Sequence, residues 1–193
     1  MSILTSSRLT FRPWDPERDA EHAIALYGDP LVLRYIGNPP PATTAQQVKP
    51  KLEAYANVAA KYGDGSMIWA VERKDLPGIP IGTGLFKQLV DGDGKLLGDY
   101  EIGWHLRQDE WGKGFGTEIG WTMLQAAVDR RPDIPVIIAI AYPENTPSIA
   151  IMRKMGMREI GLTDKYYGLN ALMHQITPNE ATANLRARAA LGL

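Results

Sequence analysis

Three glycines at alternate positions are the first residues in this sequence whose spacing suggests chemistry. They lie in the stretch DEWGKGFGTE, as Gly112, Gly114 and Gly116, directly before a segment with helical spacing. A glycine-rich turn ahead of a helix leaves main-chain N–H groups unsatisfied at the positive end of the helix dipole. Phosphate oxygens can reach such amides because glycine has no side chain, and Lys113 adds a positive charge nearby. The stretch therefore predicts a phosphate-binding loop.

The spacing of these glycines excludes two common nucleotide-binding loops. A dinucleotide fingerprint has the form G-x-G-x-x-G, but Thr117 occupies the position of the third glycine. The P-loop pattern G-x-x-x-x-G-K-[ST] does not occur in the chain. Both nucleotide-binding interpretations therefore fail on spacing.

Composition limits the remaining classes of function. The chain has 193 residues and is 45% hydrophobic, which is enough for one buried core, so a single globular domain is expected. It has no cysteine, which excludes disulfides, thiolate metal sites and a cysteine nucleophile. A net charge of −1 gives no general attraction to nucleic acid or anionic lipid. Without a signal-peptide pattern or an apolar run of about 18 residues, we expect a cytoplasmic protein with no nucleic-acid or membrane partner.

The first half of the chain predicts two helices and several strands. Alternating polar and apolar residues indicate an opening strand at 8–12, and helical spacing indicates helices at 17–27 and 43–62, separated by the run Asn38-Pro-Pro-Pro41. Further strands are expected at 67–73, 79–89 and 96–106. The turn residues Asp91-Gly-Asp-Gly94 join the last two strands, which indicates an antiparallel hairpin.

The second half places the glycine loop between a strand and a helix. Helical spacing predicts a helix at 117–130, followed by a near-continuous apolar strand at 136–141. Helix-start residues at Asn145-Thr-Pro-Ser148 predict the next helix. The remaining elements are strands at about 157–162 and 166–176 and a terminal helix at 178–191. The whole pattern predicts an α/β fold with a mixed sheet.

Residues on both sides of the glycine loop also carry a family resemblance. Trp111-Gly-Lys-Gly-Phe-Gly-Thr-Glu118, preceded by Tyr100-Glu-Ile-Gly-Trp-His-Leu106, resembles the acetyl-CoA-binding motif of the GNAT N-acetyltransferases, and is most similar to the RimJ/RimL-like branch. Asn145-Thr-Pro-Ser148 with Ile151 to Met157 resembles the family's Asn-containing helix and its ending. The opening Arg8 to Pro13 resembles the first strand of this branch. The resemblance thus covers roughly residues 8 to 176.

The resemblance implies a fold and a domain organisation. The implied sheet is mixed and mostly antiparallel, with about seven strands, splayed at its centre between strands 96–106 and 136–141 and flanked by about four helices. The implied domains are a GNAT acetyltransferase domain at 8–176 and a C-terminal helical extension at 177–193. In the family, the thioester enters the central gap from one side and the amine from the other.

The resemblance also assigns the ligand of the glycine loop, which would be acetyl-CoA as a cosubstrate, without a metal. Its pyrophosphate would bind amides of the loop, and its pantetheine arm would follow the strand that ends at Leu106. The residues implied for this role are Leu106, Trp111, Gly112, Lys113, Gly114, Phe115, Gly116, Thr117 and Asn145. Trp111 departs from the Arg or Gln of the broad family motif, although the RimL-like branch tolerates an aromatic residue there.

Two residues of strand 96–106 are candidates for the general base. Transfer from an activated thioester needs a base for the amine proton and an acid for the departing thiolate. Glu101 matches a position where some family members carry a carboxylate base, and it is the first candidate. His105 follows on the same face of the strand and is the second, because its ordinary pKa lies nearer neutral pH.

The candidate acid departs from the commonest family pattern. Many members have a tyrosine seven residues after the motif asparagine, where this chain has Met152, which cannot donate a proton. The RimL-like branch favours Ser148 as the substitute, and Tyr166 and Tyr167 are alternatives. Both residues could instead have no catalytic role. Glu101 could be a solvated strand carboxylate, and Ser148 could be a helix-capping residue.

The expected function is N-acetyl transfer from acetyl-CoA to a primary amine in a ternary complex. The acceptor would be a protein N-terminus or a small-molecule amine, chosen by loops around 28–45 and 163–168, which show no run of acidic residues. The alternative is a non-catalytic acyl-CoA-binding or sensing module. Met152 keeps this alternative open, because it replaces the tyrosine that is the usual acid of the family. A homodimer is expected only by analogy with similar proteins.

Overall fold

Eight strands form one sheet in the computed structural model, which describes residues 3–37 and 39–192. Their order across the sheet is β1-β2-β3-β4-β5-β6-β8-β7, with β5 and β6 parallel and the outer pairs antiparallel. This confirms the mixed, mostly antiparallel sheet predicted from the sequence. The strands are β1 (Leu4–Thr5), β2 (Leu9–Pro13), β3 (Met67–Arg73), β4 (Leu76–Val90), β5 (Leu96–Leu106), β6 (Ile137–Ala141), β7 (Arg158–Thr163) and β8 (Ala171–Ile176).

Six α-helices occur in the described residues, and none of them has the length and hydropathy needed to cross a bilayer. The two-residue β1 and the four-residue α2 were not predicted, because so few residues show no periodicity. In the proline run, residues 39–41 are irregular, while Asn38 lies outside the described residues. The helices are α1 (Pro16–Tyr27), α2 (Pro30–Leu33), α3 (Ala45–Tyr62), α4 (Phe115–Arg130), α5 (Thr146–Lys154) and α6 (Pro178–Ala190).

The described residues divide into two compact units. The first comprises residues up to 85 together with 104–119. Its apolar core lies between α1, α3 and β3, with Leu26, Leu52 and Ile68 among its buried side chains. Helix α1 starts at Asp15, whose carboxylate accepts hydrogen bonds from two main-chain N–H groups of the first turn, as a helix cap does.

A buried ionic cluster joins three elements of the first unit. Arg12 on β2 donates to both carboxylate oxygens of Asp19 on α1, at 2.6 and 2.8 Å, and also to Glu72 on β3. Burial alone would raise the pKa of Asp19, but the hydrogen bonds from Arg12 and from the Asp15 main chain lower it. The cluster therefore fixes β2 against α1 and β3.

The second unit comprises residues 86–103 and 120–192 of the described chain. Its central strand β6 is almost wholly buried and pairs with β8 from Ile137↔Ile176 to Ala141↔Leu172. The parallel ladder between β5 and β6 has only two pairs, Tyr100↔Ile137 and Glu101↔Ile138. Beyond Glu101, β5 therefore leaves this ladder, in agreement with the predicted splay at the centre of the sheet.

The predicted turns and caps of the second unit are also present. The main-chain N–H of Asp91 donates to Lys95 and that of Gly94 to Asp91, which closes the turn between β4 and β5. Thr177 and Glu180 form the capping box that starts α6. The side-chain amide of Asn184 donates to the Met155 carbonyl at 3.0 Å, and this contact connects α6 to the end of α5.

Candidate active site

The glycine loop connects the end of β5 to the start of α4 in the first unit. A short 3-10 turn, Gln108–Glu110, precedes it. Gly112 and Gly114 have φ angles of 74° and 82°, in a region that residues with a Cβ rarely adopt. A Cβ built on Gly112 would have no heavy atom within 4 Å, so this position also lies open.

The main-chain N–H groups of residues 112–117 donate no hydrogen bond to any part of the chain that the structure describes. Their neighbours are bonded, since Trp111 N donates to the Gln108 carbonyl at 3.1 Å and Glu118 N to the Gly114 carbonyl at 3.2 Å. Unsatisfied N–H groups at the start of the 16-residue helix α4 form a site for an anion. The loop is therefore a candidate site for a phosphate group.

A buried carboxylate at the start of α4 holds the loop to β2. Glu118 accepts hydrogen bonds from Arg8 N, Arg8 Nε and Ser6 Oγ, each at 2.7 Å. Burial raises the pKa of Glu118, and these three hydrogen bonds lower it by more. Arg8 also donates from Nη1 to the Lys113 carbonyl at 3.0 Å, and its guanidinium lies over the ring of Phe115. Arg8 thus holds the loop in position through its contacts with Lys113 and Phe115, a role that the sequence did not indicate.

A second buried carboxylate, Glu110, forms an ion pair with Lys113 of the loop. Lys113 Nζ lies 3.0 Å from Glu110 Oε2, and Arg73 Nη1 lies 3.3 Å from Glu110 Oε1. The Lys113 side chain is about half exposed, at 47%. The charge predicted to attract a further anionic group is therefore present at the surface and held by an ion pair.

Trp111 has a structural contact in addition to its predicted ligand role. Its indole N–H donates to the Leu106 carbonyl at 2.9 Å, while 43% of the residue remains exposed. Leu106 ends β5, the strand expected to carry the pantetheine arm. Because a carbonyl oxygen has two lone pairs, Leu106 can still accept a ligand hydrogen bond.

Glu101 is buried in the second unit and has two donors on the same oxygen. Lys87 Nζ lies 3.0 Å from Oε1, and the Tyr167 hydroxyl also donates to Oε1. Oε2 accepts no hydrogen bond from the described residues. Tyr167 has a φ of 56°, which is uncommon for a residue with a side chain. Glu101 is therefore a fixed carboxylate with one oxygen available, and it is not a solvated strand residue.

His105 lies in the first unit, in a setting that disfavours its use as a base. Its Nε2 is 3.0 Å from the Tyr27 hydroxyl, which is also 3.0 Å from Thr83 Oγ1. Burial, and secondly the positive charge of Lys51, lower the pKa of His105 to about 3. The near-neutral pKa that made His105 a candidate from the sequence is therefore absent in the folded chain.

The hydroxyl groups of the second unit differ in availability. Asn145 caps α5 by accepting from Ser148 N at 3.4 Å, and the Ser148 hydroxyl itself has no partner among the described residues. Tyr166 donates to Asp99 Oδ2 at 2.9 Å, and burial followed by this hydrogen bond raises its pKa. Tyr167 is bonded to Glu101. Met152 is buried.

Each unit therefore carries its own part of the predicted site. In the first unit, Leu106 and residues 111–117 lie together, with Arg8 and Glu118 as additional supports. In the second unit, Glu101 lies with Lys87 and Tyr167, while Asn145 and Ser148 form the start of α5. Lys87 and Tyr167 gave no local signal as partners of Glu101, since one lies 14 residues before it and the other 66 residues after it in the chain.

Comparisons with known proteins agree with these features. The family model "Acetyltransferase (GNAT) domain" matches residues 8–158. A Bacillus licheniformis N-acetyltransferase named p20, itself uncharacterized, is 28% identical over 166 residues, which cover 86% of this chain and 88% of the relative.

Solved structures of acetyltransferases share the fold. A GNAT-family acetyltransferase from Bacillus anthracis has a TM-score of 0.71 at 22% identity and covers 92% of this chain and 99% of its own. RimL, a ribosomal L7/L12 α-N-protein acetyltransferase solved with coenzyme A, has a TM-score of 0.70 at 16% identity. The match covers 91% of this chain and 98% of the RimL chain. Because the family model matches well over half of the sequence, the chain belongs to the GNAT family of acetyltransferases.

Proposed function

We propose that the chain transfers the acetyl group of acetyl-CoA to a primary amine by direct attack within a ternary complex. The observation that carries this proposal is the row of N–H groups at residues 112–117, which donate to no acceptor in the described ranges and open a helix in a member of an acetyltransferase family. The acceptor is a protein N-terminus or a small-molecule amine. Nothing observed favours a non-catalytic sensing module.

The proposed cosubstrate site is the glycine loop and its flanks. The diphosphate accepts hydrogen bonds from the amides of residues 112–117, because these N–H groups have no partner in the described chain. The sequence also predicts Leu106 and Asn145 as cosubstrate-binding residues. The side chains of Trp111, Lys113 and Phe115 border the loop. Residues 8–176 are the proposed catalytic domain and 177–193 the proposed extension.

The proposed chemistry uses Glu101 and Ser148. The amine nitrogen forms a bond to the acetyl carbon, and its proton passes to Glu101 Oε2, directly or through a water molecule. Lys87 and Tyr167 hold the other oxygen of this carboxylate and so fix its orientation. The bond between the acetyl carbon and sulfur then breaks, and the departing thiolate accepts a hydrogen bond from Ser148 or takes its proton, which solvent then replaces. His105 is not needed in this scheme.

A direct test is to screen a library of amines and N-terminal peptides with acetyl-CoA, measuring thiol release and identifying products by mass spectrometry. Glu101→Gln should lower thiol release by about 10²- to 10⁴-fold and leave coenzyme A affinity unchanged. Glu21→Gln, at an exposed carboxylate of α1, is the matched control and should behave like wild type. Tight coenzyme A binding with no enhanced release, and no effect of Glu101→Gln, would instead support the sensing module.

A further inference from the structure

Three lysines in the described residues are half-buried, and they differ in their partners. Lys49 on α3 forms an ion pair with Glu17 at 2.6 Å, and Lys87 on β4 forms one with Glu101 at 3.0 Å. Lys51, also on α3, has no carboxylate or carbonyl acceptor among the residues that the structure describes. Lys51 is therefore a partly desolvated cation without an anion.

The surroundings of Lys51 are aromatic. Its Nζ lies 4.5 Å from the centroid of the Tyr27 ring, and the rings of Tyr55 and His105 lie 6.3 and 5.6 Å from that ring. Burial lowers the pKa of Lys51. The charge of Lys51 also acts on His105, whose pKa it helps to lower. Lys51 and these three rings, which pack on one another through the buried Tyr27, form what we call the Lys51 cluster of the first unit.

Such a cation favours an anionic ligand. Removing an ammonium group from water is unfavourable unless an acceptor replaces the lost hydration, as Glu17 does for Lys49. A cation over an aromatic ring gains some attraction, but a ring accepts no strong hydrogen bond. A carboxylate supplied by a ligand would satisfy the ammonium, while a polycationic amine would be repelled by it.

One member of the Lys51 cluster, His105, belongs to the strand proposed to carry the acyl arm. His105 directly precedes Leu106, the last residue of the strand proposed to carry the pantetheine arm, and Tyr27 contacts His105. We propose that the amine acceptor carries a carboxylate that binds Lys51. This inference rests on the proposed acetyl transfer. The carboxylate could belong to a free amino acid or to an acidic side chain near the N-terminus of a peptide.

The test compares matched acceptors with and without this charge, at equal concentrations of the neutral amine. Amino acids are measured against their methyl esters, and peptides with Asp at the second position against peptides with Asn there, which separates the two sources of carboxylate. Wild type should show kcat/KM about 10- to 100-fold higher for the charged member of at least one pair type. Lys51→Met should remove this preference, because kcat/KM should fall for the charged acceptors much more than for the neutral ones.

Matched variants separate recognition from a structural role. Lys49→Met removes the paired lysine two positions earlier on α3 and should keep the preference. Lys51→Arg should also keep it, and Lys51→Glu should turn it toward cationic acceptors. An equal rate for charged and neutral acceptors in wild type, or an equal loss for both in Lys51→Met, overturns the inference and leaves the proposed function in place. Failure to acetylate any acceptor overturns the proposed function itself.

Discussion

Replacing Gly114 by alanine tests the phosphate loop at a single residue. Gly114 has a φ of 82°, and a Cβ built there would lie 3.4 Å from Arg8 Nη2, an ordinary van der Waals distance. Gly94, in the turn between β4 and β5, is a close match, because its φ is 81° and its Cβ would meet nothing within 4 Å. Both substitutions therefore introduce the same backbone strain, and only one of them lies in the loop.

The size of the effect follows from this strain. An alanine at positive φ costs about 1–2 kcal/mol relative to glycine. If the loop relieves the strain by rotating the peptide units on either side of residue 114, their N–H groups no longer face the diphosphate, and ligand binding must restore the strained state. Since 1.4 kcal/mol corresponds to a factor of ten, coenzyme A should bind about 5- to 30-fold more weakly to Gly114→Ala. Gly114→Val should lose more, because a branched side chain also hinders approach to the amides.

Isothermal titration calorimetry with coenzyme A measures this loss, and urea unfolding measures stability in parallel. Gly94→Ala should lower the free energy of unfolding and keep the wild-type Kd. Gly114→Ala should raise the Kd whether or not its stability changes. If the Kd of Gly114→Ala and Gly114→Val equals that of wild type, residues 112–117 do not bind the diphosphate.

Three further substitutions test other parts of the site. Ser148→Ala should lower kcat by about 10²-fold or more without changing the coenzyme A Kd, as stopped-flow thiol release and calorimetry would measure; an unchanged kcat excludes Ser148 as the acid. The pKa of His105 falls from 6.5 in the unfolded chain to about 3 in the folded chain, so the unfolded chain binds more protons between these values and stability is lost as pH falls from 6.5 toward 3. His105→Asn should flatten that part of the stability curve in urea titrations at several pH values, and an identical slope would contradict the lowered pKa. Glu118→Ala leaves the main-chain N–H and Nε of Arg8 without their acceptor, and should cost about 1–3 kcal/mol of unfolding free energy, whereas Asp129→Ala on the exposed face of α4 should cost less.

The sequence predicted the elements around the site closely where the local pattern was strong. The bounds of β3 and β5 agree with the prediction at both ends, because each strand is a long β-type segment bounded by Gly, Asp or charged residues. Asn145 and Thr177 start helices as predicted, since capping depends on residues within one turn. In each of these cases, the residues within one strand or one helical turn were sufficient to predict the bounds of the element.

Contacts between distant segments could not be predicted in this way. The hydrogen bond from Arg8 N to Glu118 joins residues 110 positions apart, and neither residue has a local pattern that indicates the other. The lowered pKa of His105 depends on burial and on Lys51, 54 positions earlier, so the ordinary value for histidine was a poor guide. The glycine spacing indicated where a phosphate could bind, but the carboxylates that hold the loop became visible only in the folded chain.

The nature of the candidate base bears on the kind of amine that the site can use. Only a neutral amine can attack the thioester, and His105, with a pKa of about 3, would take up few protons from an ammonium group near neutral pH. The α-amino group of a peptide has a pKa of about 7.7–8.0, against about 10.4 for a lysine side chain, so its neutral fraction at pH 7 is larger by a factor of a few hundred. The proposed site, with Glu101 as its only base, therefore suits an acceptor whose amine is already partly neutral. In the proposed scheme, this requirement favours an α-amine over a lysine-type amine as the acceptor.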